Sequence, residues 1–227
     1  MKIKAILFDL DETVLDRTRS LEQFLSWQAD EQLNLPYSSC EKFIERFIDL
    51  DDNGQRPKEA VYTTLIDEFG IQELSAQNLD ETYHTRFGHF TCEKRHIKES
   101  ITDLRAQGIK TAIVSNGSSP FQENNVEAMG MSDLFDAVVV SEAAGFRKPD
   151  VKIFELTCSK IGVAPVECIF VGDNPETDIA GANNAGMYSV FVPTRKFPGC
   201  SHANKVCRDM RELSSLVVTA AEHRAGN

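Results

Sequence analysis

Five short runs of β-branched and apolar residues punctuate the chain: Ile3–Phe8, Thr111–Ser115, Ala137–Val140, Cys168–Val171 and Tyr188–Val192. Each is too short for a buried helix, and several lack alternation, the pattern of strands covered on both faces. Between them apolar residues recur at helical spacing. His96–Gln107 carries Ile97, Ile101 and Leu104 and stops at Gly108. Val151–Ile161 follows Pro149 and stops at Gly162, and Ile179–Ala185 stops at Gly186. Glycine belongs at such stops because a helix C-terminus closes on a left-handed residue. Strands alternating with helices predict βαβ units, hence an α/β core around a five-stranded parallel sheet.

One gap breaks the rhythm. After the first strand the sequence reads as helices only, until His96. Leu21, Phe24 and Leu25 share a face. Ser38 and Glu41 have capping-box spacing ahead of Phe43, Ile44, Phe47 and Ile48. Pro57 sits as a first-turn proline before Val61, Leu65, Ile66 and Phe69, with Gly70 as the stop. Ser75 is placed to cap a fourth helix bearing Leu79, Tyr83 and Phe87. The expected organisation is a core from residues 1–16 and 92–227 with a helical insertion at 17–91. The junctions near 14–20 and 88–95 form a natural hinge, and the tail beyond Glu222 is expected to fray.

Charge narrows the function. With 24 Lys+Arg against 35 Asp+Glu, the 227-residue chain carries −11. Such a surface repels nucleic-acid backbones and anionic lipid, so no nucleic-acid polymer and no membrane is expected as a partner. An anionic ligand must instead be caught by a local cationic device. The apolar run Ala5–Phe8 is far shorter than the core of a secretion signal, and the six cysteines form no Cys-x-x-Cys pair, which points to a reducing cytoplasm. Cys200, His202 and Cys207 lie close in sequence, and loop thiols describe them better than a metal site.

The chemistry collects where strands end, the edge at which open parallel sheets bind ligands. The first strand runs into Asp9-Leu10-Asp11-Glu12-Thr13, the second into Ser115-Asn116-Gly117. Arg147-Lys148-Pro149-Asp150 follows the third, and the fourth runs into Gly172-Asp173-Asn174-Pro175-Glu176-Thr177-Asp178. Taken singly, each segment is ordinary turn or cap chemistry; their joint occurrence in order is not. Asp9 and Asp11 sit two apart and face the same way in extended chain. Carboxylates brought together call for a cation or a retained proton. With Asp173 they make an oxygen donor set suited to Mg²⁺. If Asp9, Asp173 and a backbone carbonyl hold that metal, the Asp11 side chain can carry a proton as general acid and later base. Ser115 offers a hydroxyl donor, and Lys148 a point positive charge suited to phosphate.

These segments resemble the four motifs of the haloacid dehalogenase superfamily. Asp-x-Asp-x-Thr is matched by Asp9, Asp11 and Thr13, the strand-two hydroxyl by Ser115, Lys-Pro by Lys148-Pro149, and Gly-Asp with a later Asp by Gly172, Asp173 and Asp178. A helical insertion directly after the first motif resembles the small cap of the family's first subclass. The resemblance implies a Rossmann-like three-layer core and a Mg²⁺-dependent phosphatase acting on a small phosphorylated metabolite. It implies Asp9 as nucleophile forming an aspartyl-phosphate and Asp11 as acid and then base. Asp9, the Asp11 carbonyl and Asp173 would bind the metal. Ser115, Lys148 and the Asn116 backbone N–H would grip phosphate, with Asp178 and Thr13 in support.

Asp11 also speaks against halide chemistry, because a halide leaves without a proton whereas an alkoxide needs one. A phosphosugar mutase using the same core residues is the alternative, and a non-catalytic phosphate- or metal-binding relic is a further one. Candidates for substrate contact in the insertion are Arg17, Arg19, Arg46, Arg56, Lys58 and Arg86. Trp27, Tyr37, Tyr62 and Tyr83 are expected mainly in packing.

Overall fold

The computed structural model describes residues 2–225. In chain order the principal elements are β1 (Ala5–Phe8), α1 (Arg17–Trp27), α2 (Tyr37–Asp51), α3 (Lys58–Phe69), α4 (Ala76–Arg86), α5 (Ile97–Ala106) and β2 (Lys110–Ser115). Next come α6 (Phe121–Ala128), β3 (Ala137–Val140), α7 (Ser141–Ala144), α8 (Val151–Ile161) and β4 (Cys168–Gly172). The chain ends with α9 (Gly181–Asn184), β5 (Tyr188–Phe191), β6 (Lys205–Val206) and α10 (Leu213–Ala225). Two compact units result: Met1–Asp16 with Glu93–Asn227, and Arg17–Cys92.

The first unit is a parallel sheet in the order β3-β2-β1-β4-β5-β6. It has six strands rather than the five expected. Lys205–Val206 adds a two-residue edge, paired in parallel with Val190–Phe191, which is too short to show a hydrophobic pattern. Alternate residues of the central strands face opposite ways. Ala5, Leu7, Ala112, Val114, Cys168 and Phe170 pack on Ile153, Phe154, Cys158 and Ile161 of α8 and Ala182 of α9. Ile6, Phe8, Ile113, Ile169 and Val171 are buried on the other side of the pleat. There α5 packs on β2 and α10 packs on α5. Burying each of these large side chains stabilises the unit by about 1.5–3 kcal/mol, and the all-buried strands explain the missing alternation. Helix α10 persists to Ala225, past the expected fraying point, and residues 226–227 lie outside the described residues.

The helical unit packs around Phe24, Phe43, Phe47, Tyr62, Leu65, Leu79 and Tyr83. Phe24 meets Tyr83 edge-on at 5.4 Å, Phe47 meets Tyr62 at 5.3 Å, and the Tyr62 hydroxyl donates to Gln28 Oε1 at 2.8 Å. Trp27 packs against Phe24 and Phe90, whereas Tyr37 is exposed. Ser75 caps α4 in a capping box closed by Asn78. The Ser38–Glu41 box does not form: Pro36 is the N-cap of α2, so both residues fall inside the helix. Pro57 likewise stands at the N-cap of α3, one position before the first turn. Cys92 belongs to this unit, donating its N–H to Ser20 Oγ at 2.9 Å.

An ion triad ties three of these helices. Asp51, at the end of α2 with its side chain only 1% exposed, receives Arg17 at 2.7 Å and Lys58 at 2.5 Å. Burial pushes the Asp51 carboxyl up, but Arg17 and Lys58 together outweigh it and hold it below its ordinary value. A depressed carboxyl contributes stability that is complete above its unfolded pKa and lost as pH falls through the folded one. Asp51→Ala would leave two cations uncompensated and is expected to cost about 3–5 kcal/mol. Urea unfolding at neutral pH measures this. Below about pH 4 the difference between wild type and variant should shrink.

Candidate active site at the carboxyl edge of the sheet

Each candidate residue is placed by a strand end or the loop after it. Asp9 follows β1, and its N–H donates to the Val171 carbonyl at 2.9 Å. That bond extends the β1–β4 register to the edge where Gly172 leads into Asp173. Ser115 closes β2, and Lys148 enters from the loop between α7 and α8. Residues 175–180 are wound in π-helical turns, and from this segment Asp178 reaches back to accept the Asn174 N–H at 3.0 Å. Glycine at 172 is a matter of room: a Cβ there would lie 2.5 Å from Asp178 Oδ2.

These placements converge. Asp9, Asp173 and Asp178, all buried, each bring a carboxylate oxygen within 4.8 Å of the others. Lys148, with its side chain 2% exposed, puts Nζ 2.5 Å from Asp9 Oδ1 and 2.8 Å from Asp178 Oδ1. Burial works against the Lys148 charge, but the Asp178 and Asp9 carboxylates prevail and hold the ammonium above its ordinary pKa. Burial drives Asp9 well above the usual carboxylate range; Lys148 opposes this, while Asp178 and Asp11 add to it. Asp173 is raised for the same reason, first by burial and then by Asp9 and Asp178. Were all three carboxylates ionised against one ammonium, two negative charges would stand uncompensated. An all-oxygen donor set with that deficit suits a hard divalent cation.

The neighbouring polar groups carry further information. Ser115 Oγ is buried with no hydrogen-bond partner among the described residues. Thr13 Oγ1 is similarly unpartnered, so its loop is held by backbone bonds from Val14 and Leu15 to the Leu10 carbonyl rather than by the hydroxyl. The Asn116 side chain clamps Lys148: Nδ2 donates to the Lys148 carbonyl at 2.9 Å, and Oδ1 accepts the Lys148 N–H at 2.8 Å. Asp11 Oδ2 accepts from Gln122 Nε2 at 2.7 Å. Lys94 Nζ lies 2.6 Å from Glu12 Oε2 and 3.4 Å from Asp16 Oδ1. Sequence reasoning missed the Asn116 clamp, Gln122 and Lys94, because each contact joins residues far apart in the chain with no local spacing to betray it.

Other candidates are engaged elsewhere. Arg17 and Lys58 are bound to Asp51, Arg46 pairs with Glu68 and Asp49, and Arg56 donates to Thr64 Oγ1 at 3.1 Å. Arg86 lies over the Trp27 ring at 5.3 Å, and Arg19 is exposed. Cys200 Sγ sits 3.6 Å from the His202 ring nitrogens, and His202 Nε2 donates to the Pro175 carbonyl at 3.0 Å. Cys207 points its thiol at the Asp209 carbonyl instead, and burial pushes that thiol up to about 12. Among the described residues, the metal-capable group is the aspartate cluster.

The chain is 27% identical over 226 residues to a glyceraldehyde 3-phosphate phosphatase of Methanothermobacter thermautotrophicus, covering 97% of this chain and 96% of that protein. It is 31% identical over 205 residues to the N-acylneuraminate-9-phosphatase of Rattus norvegicus, covering 82% and 80% respectively. Among solved structures, a HAD phosphatase from Thermococcus onnurineus aligns with TM-score 0.65 and 26% identity over 95% of this chain and 98% of that one. A HAD-superfamily hydrolase from Geobacter sulfurreducens shares the fold at TM-score 0.72 and 20% identity, over 95% and 96% of the two chains. The description haloacid dehalogenase-like hydrolase matches residues 6–192, from the first strand to the end of the fifth, and the chain belongs to that family.

Proposed function

We propose that the chain hydrolyses a small phosphomonoester in two steps, through an aspartyl-phosphate on Asp9. The observation that carries this reading is one buried ammonium, Lys148, set among three buried carboxylates at a sheet edge. Support for the substrate class comes from the relatives above, which are named as phosphatases of a triose phosphate and of a sugar-acid phosphate.

In the first step an Asp9 carboxylate oxygen attacks phosphorus, and the bond from phosphorus to the ester oxygen breaks. Asp11 delivers its proton to the departing alkoxide. In the second step Asp11, now a carboxylate, takes a proton from the water that cleaves the aspartyl-phosphate. Lys148 neutralises phosphoryl oxygens, and the unpartnered Ser115 hydroxyl donates to one of them. The Asn116 clamp fixes the backbone from which Lys148 reaches in, and the Asn116 backbone N–H adds a donor to the phosphoryl group. Asp178 holds the ammonium from the far side.

Asp9, Asp173 and the Asp11 carbonyl would hold Mg²⁺, which when bound offsets the phosphoryl charge and keeps Asp9 ionised. The two uncompensated charges of the cluster match it.

Phosphate release from a panel of small phosphomonoesters tests the reading. Release should require added Mg²⁺, stop on chelation, and fall by on the order of 10³-fold or more in Asp9→Asn. No release from any ester by folded wild-type protein would sink it. The raised Asp9 and Asp173 carboxyls give a second check. A raised carboxyl contributes stability that is complete below its unfolded pKa and lost as pH rises through the folded one, so metal-free protein weakens toward alkaline pH. Mg²⁺ should therefore raise Tm more at pH 8 than at pH 6, and an equal gain at both would contradict that coupling.

A further inference from the structure

Asp11 is met by an amide that the reaction as described does not use. Gln122, in the first turn of α6, is buried and donates from Nε2 to Asp11 Oδ2 at 2.7 Å. One turn later Asn125, also buried, donates from Nδ2 to Gln122 Oε1 at 3.1 Å. The two bonds form a relay with a single sense. A carboxylate only accepts, so Gln122 must turn its NH₂ group toward Asp11 and its carbonyl toward Asn125. Asn125, bonding that carbonyl, holds the amide in this sense. The loop after β2 leaves space for it. A Cβ at Gly117 would fall 2.6 Å from Gln122 Cγ and 2.7 Å from Nε2, while Gly117 has no positive φ. Room for the amide, not backbone conformation, is therefore what this glycine supplies.

We infer that Gln122 is a positioning residue for Asp11, aimed by Asn125 and accommodated by Gly117. This rests on the reading of Asp11 as the acid. The hydrogen bond serves both states of the carboxyl: in the acid form Oδ2 is the carbonyl oxygen that accepts from Nε2, so the transferable proton sits on Oδ1. The amide gives up no proton and touches no reacting atom. It keeps the acid from rotating its proton away from the departing oxygen and returns the same oxygen to the water in the second step. An alkyl ester, whose alkoxide is a strong base, depends on that alignment; a nitrophenyl ester, whose phenolate leaves readily without a proton, depends on it far less.

The test compares kcat/KM for p-nitrophenyl phosphate with that for an alkyl phosphomonoester, at saturating Mg²⁺. The proteins are wild type, Gln122→Met, Asn125→Leu and Asp11→Asn, each checked for a cooperative thermal transition. Gln122→Met keeps the length of the side chain and removes the donor. It should lower kcat/KM for the alkyl ester about tenfold, with KM nearly unchanged and a much smaller loss on the nitrophenyl ester. Asn125→Leu should give the same selective pattern more weakly, and it stands in if Gln122→Met does not fold. Wild-type kinetics in both variants, or equal losses on the two esters, would overturn the inference. If Asp11→Asn itself keeps alkyl-ester turnover, the assignment of the acid fails. If Asp11→Asn is selective while the Gln122 and Asn125 variants are not, only the positioning role fails.

Discussion

The rest of the site depends on keeping one ammonium charged out of water. Lys148 is buried between Asp9 and Asp178, and taking an ammonium from water costs several kcal/mol unless partners and hydrogen bonds replace the solvent. The fold supplies those partners from separate strand ends. Asp9 is held by its bond to β4, Asp178 is swung inward by the π-helical segment, and the Lys148 backbone is clamped by Asn116 from the end of β2. Gly172 belongs to the same construction, because any side chain there would displace Asp178. Such a cluster is a poor source of stability. Burial, with the neighbouring carboxylates adding to it, holds Asp9 and Asp173 above the ordinary range, and the hydrophobic faces of the sheet offset that cost.

The same imbalance reconciles the overall charge with an anionic substrate. A chain carrying −11 has no attraction for phosphate at long range. On the proposed reading capture is local: the buried ammonium, and a divalent cation held by the aspartates when bound, would act at short distance and low dielectric. In the helical unit, Arg17, Lys58 and Arg46 are each paired with carboxylates, and Arg86 is stacked on Trp27. Those cations hold helices together. On the proposed reading, the positive charge that would meet a phosphoryl group is Lys148, buried against Asp9 and Asp178.

Much of this was legible in the sequence, for identifiable reasons. Strands buried on both faces announce themselves as unbroken apolar runs, and the helix stops at Gly70 and Gly162 are set by a left-handed residue. As candidates, Asp9 and Asp173 stand directly after β1 and β4, Ser115 closes β2, Asp11 comes two residues after Asp9, and Lys148 lies in the loop ahead of α8. What was not legible is non-local. The β6 edge is two residues long and exists through pairing with β5. The Ser38 box failed because Pro36, fixed in an extended conformation, starts α2 sooner than the spacing implied. The second use of Asn116 and the contact of Gln122 with Asp11 join residues brought together by the fold alone.

Asp11 shows why local and non-local information are both required. Its position two residues after Asp9 marks it as the group that can protonate an alkoxide, and that distinguishes phosphoester from halide chemistry within one fold. A proton pointing away from the ester oxygen, however, is of no use. The amide proposed to align it lies more than a hundred positions away, on α6, where Gln122 donates to Asp11 and accepts from Asn125. The glycine after Asn116, ordinary turn chemistry when read in sequence, is in the fold the absence that lets the amide in. On this reading the identity of the acid is written locally, while its alignment would depend on the packing of Gln122 against the β2 loop.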